Sequence, residues 1–306
     1  MTEPLELSCY TANLVPYLER GAPTVRDDLA AVIGLSVRTA PPGGTLAFAH
    51  HPRVDACGLA YRSADDWPTA RAALQAELAR LGRVLVVGNT RHMPWSPSRQ
   101  QAATPHWFVL HGHKSGRWLA KDRFAALTPH GEQIPYAGTL TDAELRDVLT
   151  PLGEAPPEIR NRDRYALGEA VELPAYSAYR WLEPADATAP ARPPGDTWVH
   201  GLLPALEHLA TALSGDDEAL ARHADDLWTA ARHQRFRLAR RTAAGLLDPE
   251  AASRTAAAWE ELPRAIRFAA ASAARGRPRH ALIEKTFAQV VDAVRTLEQR
   301  RPAHVA

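Results

Sequence analysis

Three residues have the types and spacing needed for nucleophilic catalysis by a thiol. Cys9 follows Ser8 at the predicted start of a helix. Unpaired N–H groups and the helix dipole stabilise negative charge at such a position, which favours the thiolate. A thiolate nucleophile also needs a base and a group that orients the base. His106 opens an apolar segment and Asp122 follows it in the chain, so these two residues can supply both groups.

A β-hairpin would bring His106 and Asp122 together. Residues 106–111 and 117–120 have the pattern of two strands, and 112–116 that of the turn between them. His106 and Asp122 would then lie at the same end of the hairpin, where the carboxylate can hold the imidazole in one tautomer. A helix-start Cys, then a His on a strand about 100 residues later, then an Asp across a hairpin is the order found in papain-like enzymes. We therefore predict a catalytic triad of Cys9, His106 and Asp122.

The elements that must position these residues indicate an α+β first domain. The pattern predicts a strand at 45–50, a helix at 67–82 and a buried strand at 84–87. Residues 151–198 are rich in proline, and we interpret them as an irregular connecting arm. We predict three parts: a catalytic domain at 1–150, this arm, and an all-helical domain at 199–306. Two stripes at helical spacing support the last of these, formed by Leu202, Leu206, Leu209 and Leu213, and by Ile283, Phe287, Val290, Val294 and Leu297.

Composition excludes several classes of protein. The chain has 306 residues, 45% of them hydrophobic, with 36 Lys and Arg against 35 Asp and Glu. That balance holds in both halves, which argues against a nucleic-acid partner. No apolar stretch reaches the ~18 residues of a membrane span, and the N-terminus lacks a signal-peptide pattern. Two cysteines do not make a disulfide framework. We expect a cytoplasmic protein with reduced thiols and no membrane partner.

Several segments of the first half resemble one enzyme family. They are Ser8-Cys9-Tyr-Thr-Ala-Asn-Leu-Val-Pro-Tyr-Leu, Gly82-Arg-Val-Leu-Val-Val-Gly-Asn-Thr, His106-Trp-Phe-Val-Leu-His-Gly-His and Trp118-Leu-Ala-Lys-Asp122. Over about residues 5–150 the chain is similar to the N-terminal domain of the butirosin-type acyltransferases. That family is itself similar to bacteriocin-processing cysteine peptidases of the papain-like superfamily. The helical second half is similar to the helical domain often attached.

This resemblance implies a fold, a site and an activity. The fold is papain-like, and the family's early Cys and its His–strand–turn–strand–Asp pattern fall on Cys9, His106 and Asp122. Family members transfer an acyl group from an acyl carrier protein thioester to an amine in natural-product biosynthesis, including that of antibiotics. The implied partners are an acyl carrier protein and a small-molecule amine, with coenzyme A as an alternative donor.

The chain departs from the family pattern near the nucleophile. The peptidases place a Gln six residues before the Cys to form part of the oxyanion hole, whereas this chain has Glu3. The acyltransferases often have His directly before the Cys, whereas this chain has Ser8. An oxyanion hole would therefore use the backbone N–H of Cys9 and a second donor. Asn13 and Asn89 are the candidates for that donor.

The remaining polar clusters suggest weaker functions. His50-His51 and the pair His111 and His113 lack a carboxylate or Cys at ligand spacing, so we predict no metal and no other cofactor. Cys57 is interpreted as a packing residue. Five arginines lie within residues 232–241 without an acidic residue, and three share one side of a helix: Arg237, Arg240 and Arg241. These three are candidates for docking an acidic carrier protein, with a solvated helix face as the alternative.

The predicted reaction is transfer of an acyl group through a Cys9 acyl-enzyme to an amine or to a nucleophile within the acyl chain. Three alternatives stay open. A cysteine hydrolase, acting as peptidase, amidase or thioesterase, would use the same triad with water as the acceptor. An off-loading cyclase would use it with an internal acceptor. A binding module would keep the fold without the chemistry.

Overall fold

The chain forms two compact units, each built from two separate segments. The computed structural model describes residues 6–39, 44–51, 56–168, 171–185 and 197–300. The first unit comprises Met1–Val25 and Arg53–Arg192, and the second comprises Arg26–Pro52 and Pro193–Ala306. The predicted mixed α+β class is confirmed, as is the helical character of the C-terminal region.

The elements are numbered in chain order. The helices are α1 (Thr11–Leu18), α2 (Val25–Val32), α3 (Trp67–Leu81), α4 (Asp142–Val148), α5 (Pro157–Arg164), α6 (Leu202–Leu213), α7 (Asp217–Arg222), α8 (Ala224–Ala243), α9 (Pro249–Ala273) and α10 (His280–Gln299). The strands are β1 (Ser36–Arg38), β2 (Ala47–Ala49), β3 (Leu59–Ala64), β4 (Val84–Asn89), β5 (Pro105–Lys114), β6 (Arg117–Asp122), β7 (Ala126–Thr128), β8 (Gly131–Gln133), β9 (Tyr136–Leu140), β10 (Tyr179–Pro184) and β11 (Trp198–His200).

An antiparallel six-stranded sheet is the framework of the first unit. Its spatial order is β3-β10-β4-β5-β6-β9. Helices cover both faces, so β4 is buried along its whole length, as its continuous apolar run predicts. Val84 and Val86 contribute to a core with α3 and α4, whereas Leu85 and Val87 contribute to a core with α1.

Local signals in the sequence explain α3 and the β5–β6 hairpin. The side chain of Asp66 accepts the N–H of Thr69 and caps α3, and Gly82 ends that helix with a φ of 68°. The hairpin turns more tightly than expected, because Ser115 and Gly116 alone form the loop. Their φ values of 51° and 72° fit the two-residue turns that match strand twist. Gly112, predicted in the turn, instead lies in β5 beside a bulge.

The proline-rich segment at 151–198 is not an irregular arm throughout, which corrects the prediction from its composition. It contains α5 and β10, and β10 pairs with both β3 and β4 inside the sheet. A buried ion pair joins the two elements, since Arg180 Nη1 lies 2.6 Å from Asp163 Oδ2. Tertiary pairing with two neighbouring strands therefore outweighs the prolines around this segment.

The second unit is mostly helical, but residues 199–306 do not form it alone. Its core combines α6, α8, α9 and α10 with Val37 of β1 and Phe48 of β2. A three-stranded sheet, in the order β11-β1-β2, belongs to it as well. The predicted stripes on α6 and α10 are buried except for Leu202, which is half-buried at the edge of this core. None of the described helices is both long and apolar enough to cross a membrane.

Candidate active site

Cys9 lies in the first turn ahead of α1. The Oγ of Ser8 accepts the backbone N–H of Thr11 at 3.2 Å, and the Ser8 carbonyl accepts that of Ala12 at 2.9 Å. Ser8 therefore caps this first turn, although regular helix begins at Thr11, two residues beyond the start predicted at Cys9. Cys9 is half-buried and packs at the margin of the apolar cluster beneath α1. Its backbone N–H donates to no other group in the described part of the chain.

His106 and Asp122 lie together, at the same end of the β5–β6 hairpin. Nε2 of His106 is 2.7 Å from Oδ2 of Asp122. The exposed fraction is 2% for His106 and 0% for Asp122. The ring edge of His106 also meets the Phe124 ring at a centroid distance of 5.5 Å. Because Nε2 is used by the carboxylate, Nδ1 is the ring nitrogen left to serve the thiol.

The electrostatics of this pair favour an imidazolium beside a carboxylate. Burial alone lowers the pKa of His106, but the charge and hydrogen bond of Asp122 and the nearby thiol of Cys9 raise it to about 10. Burial likewise opposes ionisation of Asp122. The positive charge of His106, followed by hydrogen bonds from His106 and other donors, nevertheless lowers the pKa of that carboxyl. The interaction with Cys9 places all three predicted residues in one site.

Five donors surround the Asp122 carboxylate. The amide of Asn13 and the backbone N–H of Phe124 donate to Oδ1 at 2.8 and 2.9 Å. Besides His106, the indole of Trp95 and the amide of Gln133 approach Oδ2, at 2.9 and 3.0 Å. These bonds fix both oxygens of a side chain that has no access to water. Asp122 is therefore held in one orientation toward His106.

The side-chain amides of Asn13 and Asn89, the predicted second donors of the oxyanion hole, form hydrogen bonds to other groups. Asn13 Nδ2 donates to Asp122 Oδ1 and to the carbonyl oxygen of Trp107, at 2.8 and 2.7 Å, and these bonds take up both of its N–H groups. Asn89 Nδ2 donates to the carbonyl of Thr150, while its Oδ1 accepts the N–H of Arg91. Asn13 therefore holds the carboxylate, and Asn89 holds the end of β4.

Sequence reasoning missed Trp95 and Gln133. Trp95 belongs to the segment between β4 and β5 and stacks on Tyr136, with ring centroids 4.1 Å apart and planes 3° apart. Gln133 ends β8, in a separate two-stranded hairpin. Neither residue has a spacing relative to His106 or Asp122 that signals contact. A half-buried Trp and a buried Gln each need a hydrogen-bond partner, but the sequence does not identify it.

The histidines considered as metal ligands are divided between the two compact units. His50 and His51 lie in the second unit, where His50 stacks on His233 at a centroid distance of 5.1 Å. His113 packs on Trp118, and His111 is exposed. Among the residues that the structure describes, no group of three His, Cys, Asp or Glu side chains has the arrangement of metal ligands. Glu3 lies outside the described residues.

The arginines predicted to dock a carrier protein are partly engaged within the second unit. Arg240 Nε lies 3.0 Å from Oδ1 of Asp27, and Nη1 of Arg237 donates to Gln234 at 3.4 Å. The guanidinium of Arg240 is therefore already paired with a carboxylate. Arg241 follows it in the last turn of α8 and is half-buried.

The site thus combines a half-buried thiol, a buried imidazole and a carboxylate fixed by five donors. This set can form a thiolate, hold a proton beside it and return the proton to a leaving group. No model of a known protein family matches the chain, and no curated protein is detectably similar to it in sequence.

Proposed function

We propose that the protein is a cysteine-dependent acyltransferase whose first unit is papain-like. One observation carries this proposal: the ring of His106 bonds Asp122 through Nε2 and also interacts with the Cys9 thiol. A buried imidazole in that position can act as base and acid toward a nucleophilic thiol. The resemblance of residues 5–150 to the butirosin-type acyltransferases supports transfer to an amine in natural-product biosynthesis.

Each proposed step balances with the groups at hand. The Cys9 thiolate attacks the carbonyl carbon of a thioester donor, and the backbone N–H of Cys9 donates to the developing oxyanion. Collapse breaks the bond to the donor sulfur, which takes the proton held by His106 and leaves as a thiol. The acyl group is then bonded to Cys9 Sγ. An amine attacks this second thioester and loses a proton to His106, which forms the amide and frees the Cys9 thiolate.

The arrangement of elements supports the papain-like interpretation. The nucleophile precedes a helix that packs on an antiparallel sheet, the base lies on one strand, and the orienting carboxylate ends the next strand. A hydrolase of the same fold would use the same three residues with water as acceptor. The three residues therefore do not distinguish a transferase from a hydrolase, and the experiment must compare reactions with and without an amine acceptor.

Intact mass spectrometry on the full chain tests the proposal. The donor is a panel of acyl thioesters of N-acetylcysteamine, and the variants are Cys9→Ser and Cys57→Ser. We expect one acyl increment on wild type and Cys57→Ser, mapped to the Cys9 peptide, and none on Cys9→Ser. Adding a competent amine should remove the increment and yield amide. Decay at the same rate with and without amines would support the hydrolase instead, and absence of any increment would contradict both.

The donor carrier is part of the same proposal, with an acidic acyl carrier protein favoured over coenzyme A. Combining Arg237→Glu, Arg240→Glu and Arg241→Glu should raise the KM for a carrier-bound donor and leave that for a small thioester unchanged. Since Arg240 pairs with Asp27, Asp27→Asn is the matched control that breaks this pair without reversing charge. An equal change in KM for both donors would contradict docking at these arginines.

A further inference from the structure

Asn13 contacts all three elements that carry the triad. Its amide nitrogen donates to Asp122 Oδ1 and to the Trp107 carbonyl, and it lies 3.3 Å from the Cys9 carbonyl oxygen. Its amide oxygen accepts the backbone N–H of Arg123 at 2.8 Å. The side chain is fully buried. The Asn13 side chain therefore connects three places: the turn that holds Cys9, strand β5 that holds His106, and the end of strand β6 that holds Asp122.

The position of Asn13 in the helix makes this link relevant to the thiol. Asn13 lies in the first turn of α1, and its Nδ2 reaches back to within 3.3 Å of the carbonyl oxygen of Cys9 in the preceding turn. Bonds from Asn13 to the two strands consequently fix both the rotation and the depth of the turn that carries Cys9. The Ser8 cap does not do this, because its bonds stay within the same turn.

The geometry points to Asn13 as a positioning residue that sets the placement of the Cys9 thiol against the His106 imidazole. This inference rests on the proposed function, because the placement matters only where the thiol is the nucleophile. Reacting groups must be held to within about 0.5 Å, and a shift of about 1 Å costs a rate factor of about 10².

Loss of the Asn13 side chain should affect the reactivity of Cys9 differently from loss of the charge on His106 or Asp122. Without the Asn13 bond, Asp122 keeps four donors, including His106, so the ion pair persists. The expected signature is therefore a lower rate of thiol attack with little change in its pH dependence. Damage to the acid–base pair would instead move the pH dependence.

The experiment measures alkylation of Cys9 by iodoacetamide in the full chain, between pH ~5 and pH ~10, with Cys57 as an internal reference. Asn13→Leu keeps the approximate size of the side chain and removes every hydrogen bond. Asn13→Ser retains one hydrogen-bond donor, and it tests the positioning role if Asn13→Leu does not fold. Tyr61→Phe is the matched control. Tyr61 belongs to the apolar cluster beneath α1, and the substitution removes its 3.0 Å hydrogen bond to Asp163 without changing a triad residue.

We expect alkylation of Cys9 to slow by about 10- to 100-fold in Asn13→Leu, and by less in Asn13→Ser. Cys57 should react at the wild-type rate in both variants, and Tyr61→Phe should match wild type at Cys9. A rate at Cys9 within about twofold of wild type in the folded Asn13 variants would overturn the inference. So would an equal loss in Tyr61→Phe, because the effect would then be general loosening of the unit.

Acylation of the same samples separates the two proposals. If Asn13 variants lose alkylation but wild type takes no acyl group from any thioester, the positioning role stands and the acyltransferase proposal fails. If wild type is acylated and folded Asn13 variants are acylated equally fast, the acyltransferase proposal stands and the positioning role of Asn13 fails.

Discussion

His106 and Asp122 form a buried pair whose members are 2.7 Å apart, Nε2 to Oδ2, and the imidazole also interacts with the thiol of Cys9. Burial opposes each charge separately, so the charges persist only because they are paired. His106 and Asp122 therefore control each other's protonation.

Asp122→Asn should slow acylation and shift its pH dependence. The variant keeps the size of the side chain but removes the charge that raises the pKa of His106. That pKa should fall, so the rate should begin to decline at a lower pH on the alkaline side, with a loss of about 10² or more in the maximum rate. The measurement is the pH–rate profile of acylation. An unchanged alkaline limb would show that Asp122 does not control the imidazole.

The two cysteines should differ in reactivity despite similar exposure. Both are half-buried, but Cys9 lies beside the His106 imidazole, which can accept the thiol proton as the sulfur attacks. Limiting iodoacetamide at pH ~6 should therefore label Cys9 selectively, because a free thiol with a pKa of about 8.5 is almost fully protonated there. Peptide mass mapping gives the ratio. His106→Ala should abolish the preference, and equal labelling of both cysteines in wild type would contradict activation of Cys9 by His106.

The His106–Asp122 pair should make stability depend on alkaline pH. Because the folded-state pKa of His106 is raised to about 10, its stabilising contribution is complete below the unfolded value of about 6.5 and is lost as pH rises through the folded value. We compare the urea-unfolding free energies of wild type and His106→Gln. Their difference should shrink by at least about 1 kcal/mol between pH ~6 and pH ~10. A constant or growing difference would contradict the raised pKa.

The buried cluster around Asp163 should be important for stability of the first unit. Asp163 accepts bonds from Arg180, Tyr176 and Tyr61 at 2.6, 2.8 and 3.0 Å. Asp163→Leu leaves the Arg180 charge buried without its partner, which should cost about 3–5 kcal/mol of unfolding free energy. Adding Arg180→Met should restore part of the loss. If the double variant is as unstable as the sum of the two single variants, the pair is not coupled.

Local signals in the sequence were sufficient for much of the fold. The spacing of apolar residues predicted α3 and the stripe on α10. The contact between His106 and Asp122 was also predictable. It lies within one hairpin, where chain connectivity and strand register together bring the two ends of the segment to one place. The catalytic role of that contact stays a prediction.

Long-range packing decided what these patterns left open. The hydrogen bonds of β10 come from β3 and β4, which precede it by roughly 100 residues in the chain. Local sequence around β10 does not reveal such distant pairing, and its prolines suggested an arm instead of a strand. Trp95, Gln133 and Asn13 reach Asp122 from three different segments of the chain. The sequence by itself therefore determined the chemical types and the local elements of the site. The tertiary structure alone determined which buried donors surround the carboxylate, because a donor's partner depends on the packing of segments distant in the chain.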